Sequence, residues 1–268
     1  MTAGVSMWSR GSVATFASVV GTWSADYPAT HLADLINISR VSRFTPASGA
    51  AAFTFVLPEL VPIQFVGLAR HTMPAGVTMR VRLFKTNNPD PVTNAANIVH
   101  DSGVIGVWPS GGPVANYPSV RPYKLTAAIG TWSGRIDFAS LPGAAEIGGV
   151  DLGEWWTLNI SPGKEMGFDP RAPVIRYSAG GSEALDVWAP RILRGQVDYM
   201  HMKEAGTTGL DFQKSAGQSR PFIYTQDYED PTTWPRSCML MTNSELPPSV
   251  GALYRHDAFQ VRFREHWR

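Results

Sequence analysis

Three apolar runs between residues 50 and 86, AAAFTFVLPELVPIQFVGLARHTMPAGVTMRVRLFKT, constrain this chain more than any other feature. They are rich in Phe, Val, Ile and Leu, and they are separated by Leu57-Pro58-Glu59 and by Pro74-Ala75-Gly76, the punctuation of consecutive strands. In the last run Met79, Val81 and Leu83 alternate with Arg80 and Arg82, so one face enters a core while the guanidinium groups stay in water. The middle run, Ile63 to Ala69, is apolar on both faces except at Gln64, the pattern of a central strand covered on two sides. A β-sandwich accommodates all three runs.

The rest of the chain keeps the same rhythm. Charged residues are only 17% of the 268, while 25 glycines and 21 prolines favour many short strands over long helices. Ile136–Leu141, Glu154–Ile160, Ala172–Tyr177 and Leu185–Trp188 read as further strands, and Ala189-Pro190 as the seam where a first unit ends. Beyond it, Ile192–Met202, Pro221–Tyr224 and Cys238–Met241 read as strands, and Phe259, Val261 and Phe263 alternate with Gln260, Arg262 and Arg264. The expectation is an all-β chain: an arm or first strand over 1–22, a jelly-roll β-sandwich over 23–189, and a second, smaller β domain over 190–268. Asn87-Asn88-Pro89-Asp90-Pro91 opens an excursion to Gly130 that is long for a simple connection, and such excursions contact partners or carry function.

The central pattern also carries a resemblance. The acidic-proline turn, the strand ending Gly67-Leu68-Ala69-Arg70-His71, the Pro-Ala-Gly turn and Val77-Thr78-Met79-Arg80-Val81-Arg82 resemble the centre of the galactose-binding-like (discoidin-type) jelly roll of tailed-bacteriophage tail proteins. His31-Leu32-Ala33-Asp34-Leu35 is similar to the segment that precedes the first core strands there. In the last third, Arg220-Pro221-Phe222-Ile223-Tyr224 and the following loop, Asp227 to Trp234, resemble the closing β domain of distal-tail-like proteins. The resemblance implies a virion structural protein of a long-tailed phage, a tail tip or baseplate component that acts by symmetric assembly. Its implied partners are copies of itself in a ring and other tail proteins: tail tube, hub and baseplate subunits. Low charge and many aromatics suit such contacts, and the first twenty residues are expected to bridge neighbours.

The chemistry-bearing residues form few patterns. Six histidines (His31, His71, His100, His201, His256, His266) are scattered without metal-ligand spacing, and one cysteine, Cys238, excludes a disulfide framework. No nucleophile elbow, phosphate loop or dinucleotide fingerprint occurs, so no catalytic residue, metal or cofactor is expected and the chain reads as a non-enzyme. Asp227, Glu229 and Asp230 crowd one loop, where a solvated turn is the ordinary reading against calcium or glycosidase carboxylates. Tyr228 and Trp234 in that loop are candidate subunit contacts. Nine tryptophans open an alternative function, a carbohydrate-binding module or receptor-binding protein for host surface glycans, with Trp108, Trp132 and Trp155 as candidate stacking platforms. A net charge of +1 gives no case for nucleic acid or an anionic membrane. The absence of an eighteen-residue apolar stretch and of a secretory start points to synthesis in the host cytoplasm, followed by incorporation into a virion.

Overall fold

The computed structural model describes residues 3–7, 9–37, 40–108, 112–113, 119–158, 165–168, 174–179, 182–187, 191–201, 210–216, 220–243, 249–253 and 256–266. Its strands are, in the first half, β1 (Ala3–Met7), β2 (Thr15–Val20), β3 (Thr22–Trp23), β4 (Ser42–Thr45), β5 (Ala51–Ala69), β6 (Thr78–Phe84), β7 (Ile98–Asp101), β8 (Ile105–Gly106), β9 (Val120–Ala139), β10 (Ala145–Ile147) and β11 (Gly149–Leu158). In the second half they are β12 (Glu165–Phe168), β13 (Val174–Ala179), β14 (Ser182–Val187), β15 (Arg191–His201), β16 (Phe222–Thr225), β17 (Cys238–Asn243), β18 (Ser249–Leu253) and β19 (His256–Glu265). Among the described residues helix is confined to short pieces such as Leu210–Ala216, and the chain is all-β in class. Residues 188–190, where the sequence places the end of the first unit, lie outside the described residues.

The first half is a sandwich of two antiparallel layers. β11, β5, β9, β6 and β7 lie side by side, and the three-stranded sheet β10-β4-β3 covers one face of them, giving the five-plus-three arrangement of a jelly roll. Phe44 on β4 is stacked on Phe138 of β9 with centroids 6.0 Å apart, and Trp23 on β3 lies 4.8 Å from Phe44. Met79, Val81 and Leu83 enter this core, as their alternation predicts. Each phenylalanine or leucine so buried contributes about 1.5–3 kcal/mol of transfer free energy. The two arginines differ from expectation in part. Arg80 pairs with Asp101 near the surface, whereas Arg82 is largely covered, with Nη2 2.5 Å from Asp137 Oδ2.

One piece of punctuation has a different meaning in the fold. Residues 51–69 form a single strand, and Leu57-Pro58-Glu59 is a bulge within it. Pro58 has no N–H to give the ladder, so pairing with β9 jumps from Val56↔Ser133 to Val61↔Thr131 and leaves Leu57–Leu60 unpaired. A second jump, from Ile63↔Ile129 to Phe65↔Lys124, extrudes Leu125–Ala128 from β9 beside it. Leu57 and Leu125 turn inward, while Pro58, Glu59, Leu60, Thr126, Ala127 and Ala128 stand exposed as a double bulge with one charge.

β1 joins the two halves. It pairs antiparallel with β11 along one edge, from Ala3↔Leu158 to Met7↔Glu154, and with β16 along the other, at Gly4↔Thr225 and Val5↔Tyr224. The large sheet therefore runs on through β16, β17, β19 and β15 to β12. Under this part lies a second core in which Val5, Trp156, Phe212, Phe222, Tyr224 and Phe263 meet. Phe212, Phe222 and Phe263 pack edge-to-face, with centroids 4.9–5.9 Å apart. Of the alternating run near the end, Phe263 is buried as expected, and the side chains of Phe259 and Val261 lie outside the described residues. Both edges of β1 are hydrogen-bonded within its own chain and all five of its residues are buried. Within the stretch expected to bridge neighbours, Ala3–Met7 is therefore a strand of its own chain's sheet and offers a neighbour no ladder.

Candidate functional site

Three of the aromatic candidates, Trp155, Tyr228 and Trp234, converge on the seam between the halves. Trp155 on β11 is 7% exposed, stacks on Phe65 at 5.0 Å and lies flat over Gly4, where a Cβ would fall inside the indole. Tyr228, from the β16–β17 loop, sits 5.5 Å from Trp155 and 5.3 Å from Trp234. Its hydroxyl accepts a 2.7 Å hydrogen bond from the backbone N–H of Lys124 on β9. Trp234 is 6% exposed, donates its indole N–H to Asp227 O at 3.2 Å and covers the Arg121 guanidinium at 4.8 Å. Arg121 is buried with backbone carbonyls of Gly106 and Pro122 as its acceptors, and burial lowers its pKa to about 10.

Tyr228 and Trp234, read in the sequence as candidate subunit contacts, meet other parts of their own chain. Trp155 and Trp108 are corrected as sugar platforms, because an indole with under a tenth of its surface free presents no face to a pyranose. Trp108 donates its N–H to Met73 O at 2.8 Å and packs 4.9 Å from His71. His71 is itself buried, and desolvation together with Arg121 lowers its pKa to about 3, so it is a neutral core histidine. Trp132 differs: it is half-buried beside the double bulge. In the acidic loop, Asp227 Oδ1 accepts from the N–H of Glu229, and Asp230 Oδ1 from the N–H and hydroxyl of Thr232, so both cap turns. Among the described residues no three His, Cys, Asp or Glu side chains are grouped to hold a metal ion.

Behind the seam lies one buried carboxyl. Asp151 on β11 has no exposed surface; it accepts a short hydrogen bond from the Ser6 hydroxyl of β1, whose oxygen accepts the N–H of Ile223 on β16 at 2.9 Å. Three strands are thus tied through one hydroxyl. Desolvation pushes the Asp151 pKa up, and the hydroxyls of Ser6 and Ser9, the Ile223 N–H and Arg220 pull it partly back.

Sequence reasoning missed the cavity that opens above this point. It measures about 290 Å³ and is walled by Ser9 and Ser12 after β1, by the segment from Thr30 to Ile36 together with Arg40, and by Arg220 and Pro221 before β16. The segment is held from several sides. His31 Nδ1 lies 3.0 Å from Val41 O, His266 Nε2 hydrogen-bonds Ile36 O at 3.0 Å, and Asp34 Oδ1 accepts the N–H groups of Ile36 and Asn37 at 3.1 and 2.9 Å. Arg40 Nη1 stands 3.6 Å from Asp34 Oδ2. Among the described residues no carboxylate forms an ion pair with Arg220. The wall residues come from three distant segments, so no spacing could announce them. His31–Leu35 stood out in the sequence, though for its place before the core strands.

No family model and no curated protein matches the chain. Solved structures similar in arrangement include the family 32 carbohydrate-binding module of Clostridium perfringens NanJ in complex with galactose, at 12% identity and TM-score 0.38 over 57% of this chain and 99% of that one. Chitosan-binding module 1 of a Paenibacillus sp. IK-5 chitosanase/glucanase is similar at 12% and 0.35, over 53% and 96%. A Streptococcus pneumoniae fucose-binding module is similar at 12% and 0.34, over 52% and 89%. At this identity and score the likenesses assign this chain no ligand.

Proposed function

We propose that the chain is a non-catalytic assembly protein, a virion structural component of a long-tailed phage's tail tip or baseplate. In this reading it is made in the host cytoplasm and works as one copy in a symmetric ring alongside other tail proteins. The observation that carries the assembly reading is the double bulge. Pro58, Leu60, Thr126, Ala127 and Ala128 stand exposed around a single charge, Glu59, and Leu60 is 54% exposed. A charge-poor projection costs little to desolvate, and a ring repeats its contact around the axis. The test is light scattering on purified protein and particle incorporation of a Leu60→Asp chain. Multimers and incorporation that Leu60→Asp lowers at least tenfold, with an unchanged melting temperature, support the reading. A monomer at all concentrations, or normal incorporation of Leu60→Asp, refutes it.

The second reading is glycan recognition, and the polar cavity at Asp34, Arg40 and Arg220 favours it. Hydroxyls, a carboxylate and guanidinium groups around a small concavity are the donors and acceptors that sugar hydroxyls match. Titration of the protein with a panel of monosaccharides checks this reading, and no binding by any of them excludes it.

A further inference from the structure

This inference rests on the glycan reading and gives the cavity a ligand class. We infer that the cavity takes an acidic monosaccharide, a pyranose carrying a carboxylate, either free or at the exposed end of a glycan.

Size comes first. A volume of about 290 Å³ lies at the lower edge of the ~300–1,000 Å³ typical of small-molecule sites, room for one sugar residue and not for a chain. The polar wall then decides the class. Ser12 and Thr30 place on the cavity two hydroxyls able to donate and accept as sugar hydroxyls do, and Ser9, whose proton goes to Asp151, adds an acceptor. Asp34 is committed to its own loop through two backbone N–H groups, and it shares its other oxygen with Arg40. Arg220 is the cation left over, exposed and without an ion pair among the described residues. A guanidinium fork in that state matches a planar carboxylate with two parallel hydrogen bonds.

Two competing classes fit less well. A neutral sugar is commonly held by a stacking aromatic, and among the described residues of the wall there is none; the apolar part there is aliphatic, with Leu35 and Pro221 meeting a C–H face. A phosphate dianion would set a second negative charge against the Asp34 carboxylate and give Leu35 and Pro221 no C–H face to meet. One carboxylate on a polyhydroxylated ring satisfies both sides of the cavity.

The whole chain is titrated by calorimetry with glucuronic acid and N-acetylneuraminic acid, with glucose and N-acetylglucosamine as neutral counterparts, and with acetate as a bare anion. An oligosaccharide ending in either acid separates glycan-end recognition from capture of the free sugar. At least one acid is expected to bind ten times or more tighter than its neutral counterpart and than acetate. Arg220→Gln is expected to weaken it at least tenfold with an unchanged melting temperature, and Arg40→Gln serves if Arg220→Gln fails to fold. Equal binding of neutral sugars overturns the acidic class while glycan recognition stands, and no binding of any sugar overturns both. Acetate binding as tightly as the acids, or full affinity in the arginine variants, also overturns it.

Discussion

Replacing Asp151 by Asn tests the seam where its energetics are most exposed to measurement. The carboxyl has no solvent contact, its Oδ1 has no hydrogen-bond partner, and Arg220 acts on it only weakly, so desolvation dominates and its pKa is raised. A raised carboxyl pKa means that the folded chain keeps its proton longer than the unfolded chain. Below the ordinary carboxylate value both states are protonated and nothing is lost. As pH climbs from there towards the raised value, the unfolded chain ionises first, and stability falls by up to about 1.4 kcal/mol per pH unit before levelling off. Asn is isosteric and neutral, and its Oδ1 can accept the Ser6 hydroxyl, so the variant lacks this descending limb. At pH 4 its amide N–H₂, lacking a partner where the carboxyl oxygen now lacks one, costs about 1 kcal/mol. At pH 8 the order reverses, and the variant is as stable as the parent or more so. Urea unfolding followed by tryptophan fluorescence at pH 4, 6 and 8 reads both limbs. Parallel curves for the two proteins would refute the reasoning, because they would mean that Asp151 ionises alike in both states.

Two further predictions concern the same region. Gly4→Ala drives a methyl into the Trp155 indole and is expected to cost about 1–3 kcal/mol, with a red shift of tryptophan emission as the ring is displaced; an unchanged melting temperature and spectrum would show that the seam yields freely. His71, with its pKa lowered to about 3, stays neutral in the folded chain while the unfolded chain takes up a proton below about pH 6.5. Stability therefore falls as pH drops from there towards 3, and His71→Gln flattens that limb; an imidazole resonance titrating near pH 6 in the folded protein would contradict the assignment.

The strands were legible where alternation and apolar content speak for themselves. Met79, Val81 and Leu83 on β6 and Phe222–Tyr224 on β16 bury as their pattern demands. Two features were hidden for distinct reasons. Pro58 looks like a turn in any local window, and only the partner strand β9, about seventy residues away, shows that the chain bulges and resumes the same ladder. The fate of the aromatics was hidden because exposure is a property of what covers a ring. Trp155 is covered by Gly4 and Tyr228, residues 151 positions before it and 73 after it, and neither relation has a local signature. The cavity was illegible for the same reason, since its two arginines are 180 residues apart in the sequence.

The cavity and the seam are one structural fact, and that would couple the proposed ligand binding to folding. Ser9 and Ser12 follow β1, Arg220 and Pro221 immediately precede β16, and the remaining wall belongs to the first half of the chain. Only when β1 is paired along both edges are the three walls brought together, so a chain whose seam has opened has no cavity to offer. A ligand held there binds the closed form alone and stabilises it by RT ln(1 + [L]/Kd), about 2.7 kcal/mol at a hundredfold excess over Kd. The same coupling runs in reverse. Strain placed at Gly4, or a charge forced onto Asp151, disfavours the closed form, and it would weaken binding by the fraction of chains it opens without touching a single wall residue. A contact at the double bulge need not feel this, because β5 and β9 pair with one another on both sides of it and their ladder does not pass through β1. The proposed assembly and the proposed ligand binding would thereby be separable on this fold: a Gly4 variant that opens the seam is expected to lose the second and keep the first.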